Sequence, residues 1–191
     1  MFESKVERYA VARYVILMLR EPPGDNGLQG DEYGFVGIGE VLRKIAPRYP
    51  DVTLEQIHEI AEKDAQNRFH IDDGKIRARA GHRFDVALPS EPVEPPEYLY
   101  HGTTEGAAGS ILSTGVLKMG KAYVHLANTP ERARRTGLRK GSRPIVLKIN
   151  AKIAFDANLR FWKSGQVAQD GEIYLSDEIP AEYVSWVGEP L

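Results

Sequence analysis

The chain has 191 residues, of which 42% are hydrophobic and 27% charged, with a net charge of −2; this admits one domain or two small ones and enough apolar surface for a core. There is no cysteine, which excludes disulfides, thiolate metal sites and a cysteine nucleophile. No apolar run approaches a membrane span, and the opening MFESKVERYA carries charges where a secretory signal would be apolar, so a soluble, cytoplasmic protein with no membrane partner is expected.

The first predicted element is a helix from Glu3 to Leu19, with Val6, Ala10, Tyr14 and Leu17 on one stripe and Val11, Val15 and Met18 beside it. Pro22 and Pro23 stop it. A second helix fits Gly37 to Arg48 through Ile38, Val41, Leu42 and Ile45, and Pro47 and Pro50 close it. The third opens with a capping box between Thr53 and Gln56, carries Leu54, Ile57, Ile60 and Ala61 as its apolar stripe, and should end near Gln66. RFHIDDGKIRAR then predicts a hairpin, because Asp73-Gly74 suits a two-residue type I′ turn. Ile71 opposite Ile76 and Phe69 opposite Ala78 would put Arg68, His70, Arg77 and Arg79 together on the other face. Helices followed by a hairpin are the order of a winged-helix domain, which serves nucleic-acid binding and protein contacts alike.

Pro89, Pro92, Pro95 and Pro96 mark residues 87–97 as a stiff linker, leaving lobes at 1–86 and 98–191. The second lobe predicts strands at Tyr98-Tyr100, Tyr123-Leu126, Ile145-Ile149, Ile173-Leu175 and Tyr183-Val187. Helices are expected from Thr104 to Ser113 and from Thr129 to Arg139, the latter with Thr129 as N-cap and Pro130 in the first helical position. The fold class is therefore α+β, with a β-rich second half.

Familiar catalytic patterns are absent: no GxGxxG lies between a strand and a helix, and there is no GxxxxGK[ST] or GxSxG. His58, His70, His82, His101 and His125 show no HExxH spacing, so no metal is expected. From Arg132 to Arg143, RARRTGLRKGSR holds six basic residues and no acid, a nucleic-acid patch or a solvated helix face. Taken alone, Arg20 suits a helix C-terminus, Arg77 a solvated hairpin face, Arg139 a turn, and both His101 and His125 a structural role.

ARYVILMLREPPGDNGLQGDEYGFVGIGEVL resembles the opening block of the NAD-dependent tRNA 2′-phosphotransferases, whose pattern is roughly SKxLSxxLRHxPxxxGLxxDxxGWVxVxxLL. RFHIDDGKIRARAGH is similar to their RFExxxxxIRAxxGHS block, LYHGT and VHLA to LYHGT and VHLS, GLRKG to GxRxG, and GEIYLSDEIPAEYV to GVxLxxxVPxxY. The resemblance implies a winged-helix RNA-binding lobe joined to an ADP-ribosyltransferase-like NAD-binding lobe. It also implies that the 2′-phosphate left on RNA at a splice junction attacks the nicotinamide ribose of NAD and expels nicotinamide. The ribose 2″-hydroxyl then takes the phosphate, giving 2′-hydroxyl RNA and ADP-ribose 1″,2″-cyclic phosphate.

On that resemblance Arg20, Arg77 and Arg139 match the catalytic arginines, and they would hold the phosphate and stabilise its transfer without a metal. Guanidinium groups suit this, since they stay protonated and fork onto two oxygens. His101 and His125 match the histidines of the NAD signature, Gly102 and Thr103 would bring backbone to the nicotinamide amide, and Ile173 fills the signature's apolar third position. RNA contacts are expected from Arg13, Arg68, Arg79, His82, Arg132, Arg135, Lys140 and Arg143. The family's LRH is LRE here, so Glu21 stands where a phosphate-contacting histidine is expected, and GHS becomes Gly81-His82-Arg83. NAD as co-substrate, RNA bearing a 2′-phosphate as partner and a monomeric chain complete the expectation. Alternatives are an ADP-ribosyltransferase acting on terminal nucleic-acid phosphates and a non-catalytic winged-helix nucleic-acid binder.

Overall fold

The computed structural model describes residues 1–24, 28–88 and 90–187. Asp25, Asn26 and Gly27 of the segment expected to stop the first helix, and Pro89 of the proline-rich stretch, lie outside them. The fold is mixed α/β, with two antiparallel sheets and six α-helices among the described residues. Contacts divide the chain into units Met1–Pro89 and Ser90–Leu191, each with its own apolar core.

The first unit runs α1 (Lys5–Met18), β1 (Val36–Gly37), α2 (Ile38–Ile45), α3 (Leu54–Glu62), β2 (Phe69–Asp72) and β3 (Lys75–Ala78). Ser4 caps α1 by accepting from the Glu7 amide. The capping box of α3 is present, Thr53 accepting from the Gln56 amide and Gln56 from the Thr53 amide. Asp73 and Gly74 both have positive φ, 42° and 72°, as a type I′ turn requires. The hairpin pairs Phe69 with Ala78, His70 with Arg77 and Ile71 with Ile76, and β1 adds to β3 to give the order β1-β3-β2.

One expectation is corrected at α1. Its buried face is Val11, Ala12, Val15, Ile16 and Met18, whereas Val6 is 80% and Leu17 46% exposed. The helix carries two adjoining apolar stripes, and contact with the rest of this core selects one of them. The N-terminus is pinned to α3 by Glu59, whose carboxylate accepts from the Phe2 amide at 2.9 Å and pairs with Arg8 and Lys63. These partners hold its pKa down to about 2, Lys63 contributing most.

The second unit runs β4 (Tyr98–Thr104), α4 (Glu105–Thr114), β5 (Val124–Ala127), α5 (Pro130–Gly137), β6 (Pro144–Asn150), α6 (Ala151–Asp156), β7 (Phe161–Ala168), β8 (Gly171–Ser176) and β9 (Val184–Trp186). Its sheet has the order β7-β8-β5-β4-β6-β9, so β4 and β5, which carry His101 and His125, are interior neighbours. Strand β7 and helix α6 extend the predicted set. Val93 donates to the Phe161 carbonyl at 2.7 Å and packs on this core. Helix α5 lies so close to β4 that a Cβ on Gly102 would overlap the Ala133 carbonyl, and one on Gly137 would sit 2.8 Å from Pro144 Cβ. No described helix is long and apolar enough to cross a membrane.

Candidate functional site

In the first unit, Arg20 leaves the end of α1 and its Nε donates to the Ala80 carbonyl at 2.9 Å. The guanidinium lies over Gly81, which has φ +93°; a Cβ there would come within 2.8 Å of Arg20 Nε. Glycine is needed for both the backbone conformation and the space. The Arg83 amide donates to the Arg20 carbonyl at 2.8 Å, so residues 80–83 are fastened to the chain at Arg20 through both its backbone and its side chain.

Arg77, on β3, is only 3% exposed, which corrects the picture of a solvated hairpin arginine. Its Nε donates to the Ala78 carbonyl, its Cζ stands 5.4 Å from the centre of the Phe35 ring, and its Nη1 is buried without a hydrogen-bond partner. No carboxylate is within ion-pair distance of it among the described residues. Burial, and secondarily the charge of Arg79, lower its pKa from the ordinary value.

His82 is equally buried, and its Nε2 has no hydrogen-bond partner. Burial, then the charges of Arg77 and Arg20, push its pKa down to about 3, so it is neutral at pH 7. Both arginines thus act on His82 as charges, and Arg20 lies over Gly81, the residue before it. Arg79 flanks them with its Nε on the Phe69 carbonyl. An anion entering here would meet guanidiniums and a buried donor that lacks an acceptor, with no carboxylate paired to Arg77 among the described residues and the charge of Asp31 acting on it only from farther off.

In the second unit a cavity of about 460 Å³ opens beside β4 and β5, lined in part by His101, Thr103, His125, Lys121, Tyr123 and Lys140. Its volume falls in the range of small-molecule sites. His101 Nδ1 lies 3.2 Å from the His125 carbonyl. A carbonyl only accepts, so Nδ1 carries the proton and Nε2 is left as an acceptor. Burial, then the charge of Lys140, push the His101 pKa down to about 4, and the ring is neutral near pH 7. The ammonium tip of Lys140 is tucked against the Gly102 carbonyl at 3.2 Å, and burial there lowers its pKa.

The family model described as RNA 2′-phosphotransferase, Tpt1 / KptA family, matches residues 6–168. The chain belongs to this family. A protein of Pyrococcus furiosus named "Probable RNA 2'-phosphotransferase" is 36% identical, covering 93% of this chain and 94% of that protein. Proteins of the same name from Rhizobium leguminosarum (35% identical, 97% of each chain) and Thermococcus kodakarensis (36% identical, 95% of this chain and 98% of that protein) are similarly related. The match spans the arginine cluster of the first unit and the histidine cavity of the second.

Within this family member, the expected residues separate into distinct settings. Ile173 is buried on β8 opposite Ala127 and Gly102 is committed to the close approach of α5, while His101, Thr103 and His125 line the cavity. Arg139 is exposed on the turn after α5, between the cavity residues Thr136 and Lys140, and does not itself line the cavity. Arg13 and Arg143 are exposed. Arg68 forks onto Asp64 with contacts as short as 2.6 Å. Arg132, 2% exposed, and Arg135 share Asp170 at 3.3 and 2.7 Å. These three side chains are held by carboxylates of the protein, and Arg132 is closed to any surface ligand.

Sequence reasoning overlooked Phe35 and Asp170. Phe35 sits between Gly34 and Val36 at the tryptophan of the family's GWV pattern, and that aromatic position was its available signal. Asp170 stands alone in a turn and gave none. The carboxylate of Glu21 pairs with Arg83 at 2.8 Å.

Proposed function

We propose that the chain removes an internal 2′-phosphate from RNA, such as one left at a splice junction, by transferring it to NAD. The products are 2′-hydroxyl RNA, nicotinamide and ADP-ribose 1″,2″-cyclic phosphate. One observation carries this reading: the buried Arg77 guanidinium, whose charge acts on neutral His82 together with that of Arg20, has an unmet donor and no paired carboxylate among the described residues. Leaving a buried donor unsatisfied costs roughly 1–3 kcal/mol, and a phosphate oxygen would recover that cost.

In this proposal the first unit is a winged-helix RNA lobe, supported by its helices and the hairpin that carries Arg77. The second is an ADP-ribosyltransferase-like lobe, supported by the two histidines on neighbouring interior strands. The cavity fits NAD in its chemistry. His101 Nε2 can accept from a ribose hydroxyl, Thr103 and His125 lie on the same wall, and Lys121 and Lys140 suit the pyrophosphate. When bound, NAD supplies an electrophilic ribose carbon, nicotinamide as leaving group and the hydroxyl that closes the cyclic phosphate. Arg20 and Arg77 orient the RNA phosphate as the nucleophile, with positioning as their main contribution. Arg139, beside the cavity, is assigned to charge developing on the phosphate during transfer.

Incubating 2′-phosphorylated RNA with NAD tests the proposal: 2′-hydroxyl RNA and the cyclic phosphate should appear in equal amounts. Accumulated ADP-ribosylated RNA without cyclic product would instead favour an ADP-ribosyltransferase that stops at the first step. An unchanged RNA phosphate with a folded protein would reject both.

A further inference from the structure

An acidic side chain next to a phosphate-binding arginine needs an explanation. Glu21 directly follows Arg20, and an ionised carboxylate there would repel the anion that Arg20 is proposed to hold. Its charge does not stand alone. Arg83 Nη1 lies 2.8 Å from Glu21 Oε1, with side chains 61% and 33% exposed. The same residue's amide donates to the Arg20 carbonyl, and its neighbour His82 completes the arginine cluster. Arg83 is thus fixed at the rim by its backbone, while its guanidinium is directed at the one carboxylate adjoining Arg20 in sequence.

Ion pairs this exposed add little to stability, so stability alone does not account for the placement. We propose that Arg83 and Glu21 form a charge-compensating pair that sets the affinity of the Arg20 site for a phosphate dianion, with Arg83 cancelling the carboxylate rather than gripping RNA itself. The inference rests on the function proposed above and deepens it. Arg83 is a positioning and specificity residue: removing its charge exposes the phosphate to Glu21, whereas removing both charges restores the balance.

The test measures binding, without NAD, of a short RNA carrying one internal 2′-phosphate against the same RNA with a 2′-hydroxyl. Wild type should prefer the phosphorylated RNA. Arg83→Gln should weaken that preference about three- to tenfold, as expected for one partly screened charge near the site. Arg83→Lys should keep it within about twofold, since charge is what matters here. The double variant Glu21→Gln/Arg83→Gln should return to within about twofold of wild type, again the scale of a solvated pair. Thermal melts should superimpose, the pair being exposed. A double variant as weak as Arg83→Gln would overturn the inference, because Arg83 would then act through its own contact with RNA, and so would an unchanged Arg83→Gln. A wild type that does not distinguish the two RNAs would instead defeat the proposed function and this inference with it.

Discussion

Arg77 and Arg132 are both almost wholly buried, at 3% and 2% exposure, yet their surroundings differ. Arg132 faces Asp170, which also takes Arg135. Arg77 has the face of Phe35 and one backbone carbonyl, with no carboxylate paired to it among the described residues. The first arrangement is internally neutralised and holds α5 to the β7–β8 turn, because removing either partner would strand a charge. The second leaves a cation with no carboxylate at ion-pair distance among the described residues, the charge of Asp31 acting on it only from farther off, and this is the setting that the proposed phosphate site needs. Under the proposed function, what separates a buried arginine that serves a ligand from one that serves the fold is the paired carboxylate.

The sharpest break in this comparison is Arg77→Met. If Arg77 serves a ligand, turnover of 2′-phosphorylated RNA should fall by about a thousandfold, the scale of losing a preorganised phosphate contact. Thermal stability should hold or rise, since a buried cation with no paired carboxylate among the described residues is replaced by an apolar chain of similar reach. Gly81→Ala comes next. Its Cβ would displace the Arg20 guanidinium, and turnover should drop roughly ten- to a hundredfold through misplacement, with RNA affinity read alongside to separate positioning from loss of fold. Asp170→Asn should show the opposite signature to Arg77→Met. Denaturant unfolding should reveal a loss of about 2 kcal/mol, discounted from the value for a fully buried pair because Arg135 is partly exposed, while kcat changes little.

The smallest effect near neutrality is on pH. His82 and His101 have folded pKa values pushed down to about 3 and about 4, below the unfolded value near 6.5. Between these limits the unfolded chain binds more protons, so their contribution favours folding above pH 6.5 and is lost as pH falls toward 4 and then 3. Melts at decreasing pH should lose stability across that window, and His82→Gln should flatten its lower part.

The hairpin was legible to the residue, because Asp73-Gly74 dictates the turn and the turn fixes the register. So was the capping box of Thr53 and Gln56, a local device that needs no tertiary partner. The buried face of α1 was not, since Val6 and Val11 belong to equally apolar stripes and only packing distinguishes them. Strand β7 escaped notice because FWKSGQVA mixes polar residues and a glycine, and its register shifts between Lys163 and Val167. At the site, the residue types were readable from the resemblance. Their settings were not: a sequence displays Arg68, Arg77 and Arg132 alike, and only the fold reveals that Asp64 and Asp170 have claimed two of them.

Arg77, with no carboxylate paired to it among the described residues, is proposed to take the RNA phosphate. The most direct measurement follows radiolabelled 2′-phosphate from RNA into small-molecule product, with and without NAD, for wild type and for Arg77→Met at matched folded concentration. The account predicts NAD-dependent transfer of the label by wild type and almost none by the variant, although the variant melts no earlier. Comparable transfer by the two proteins, or label that stays on RNA with wild type, would contradict it.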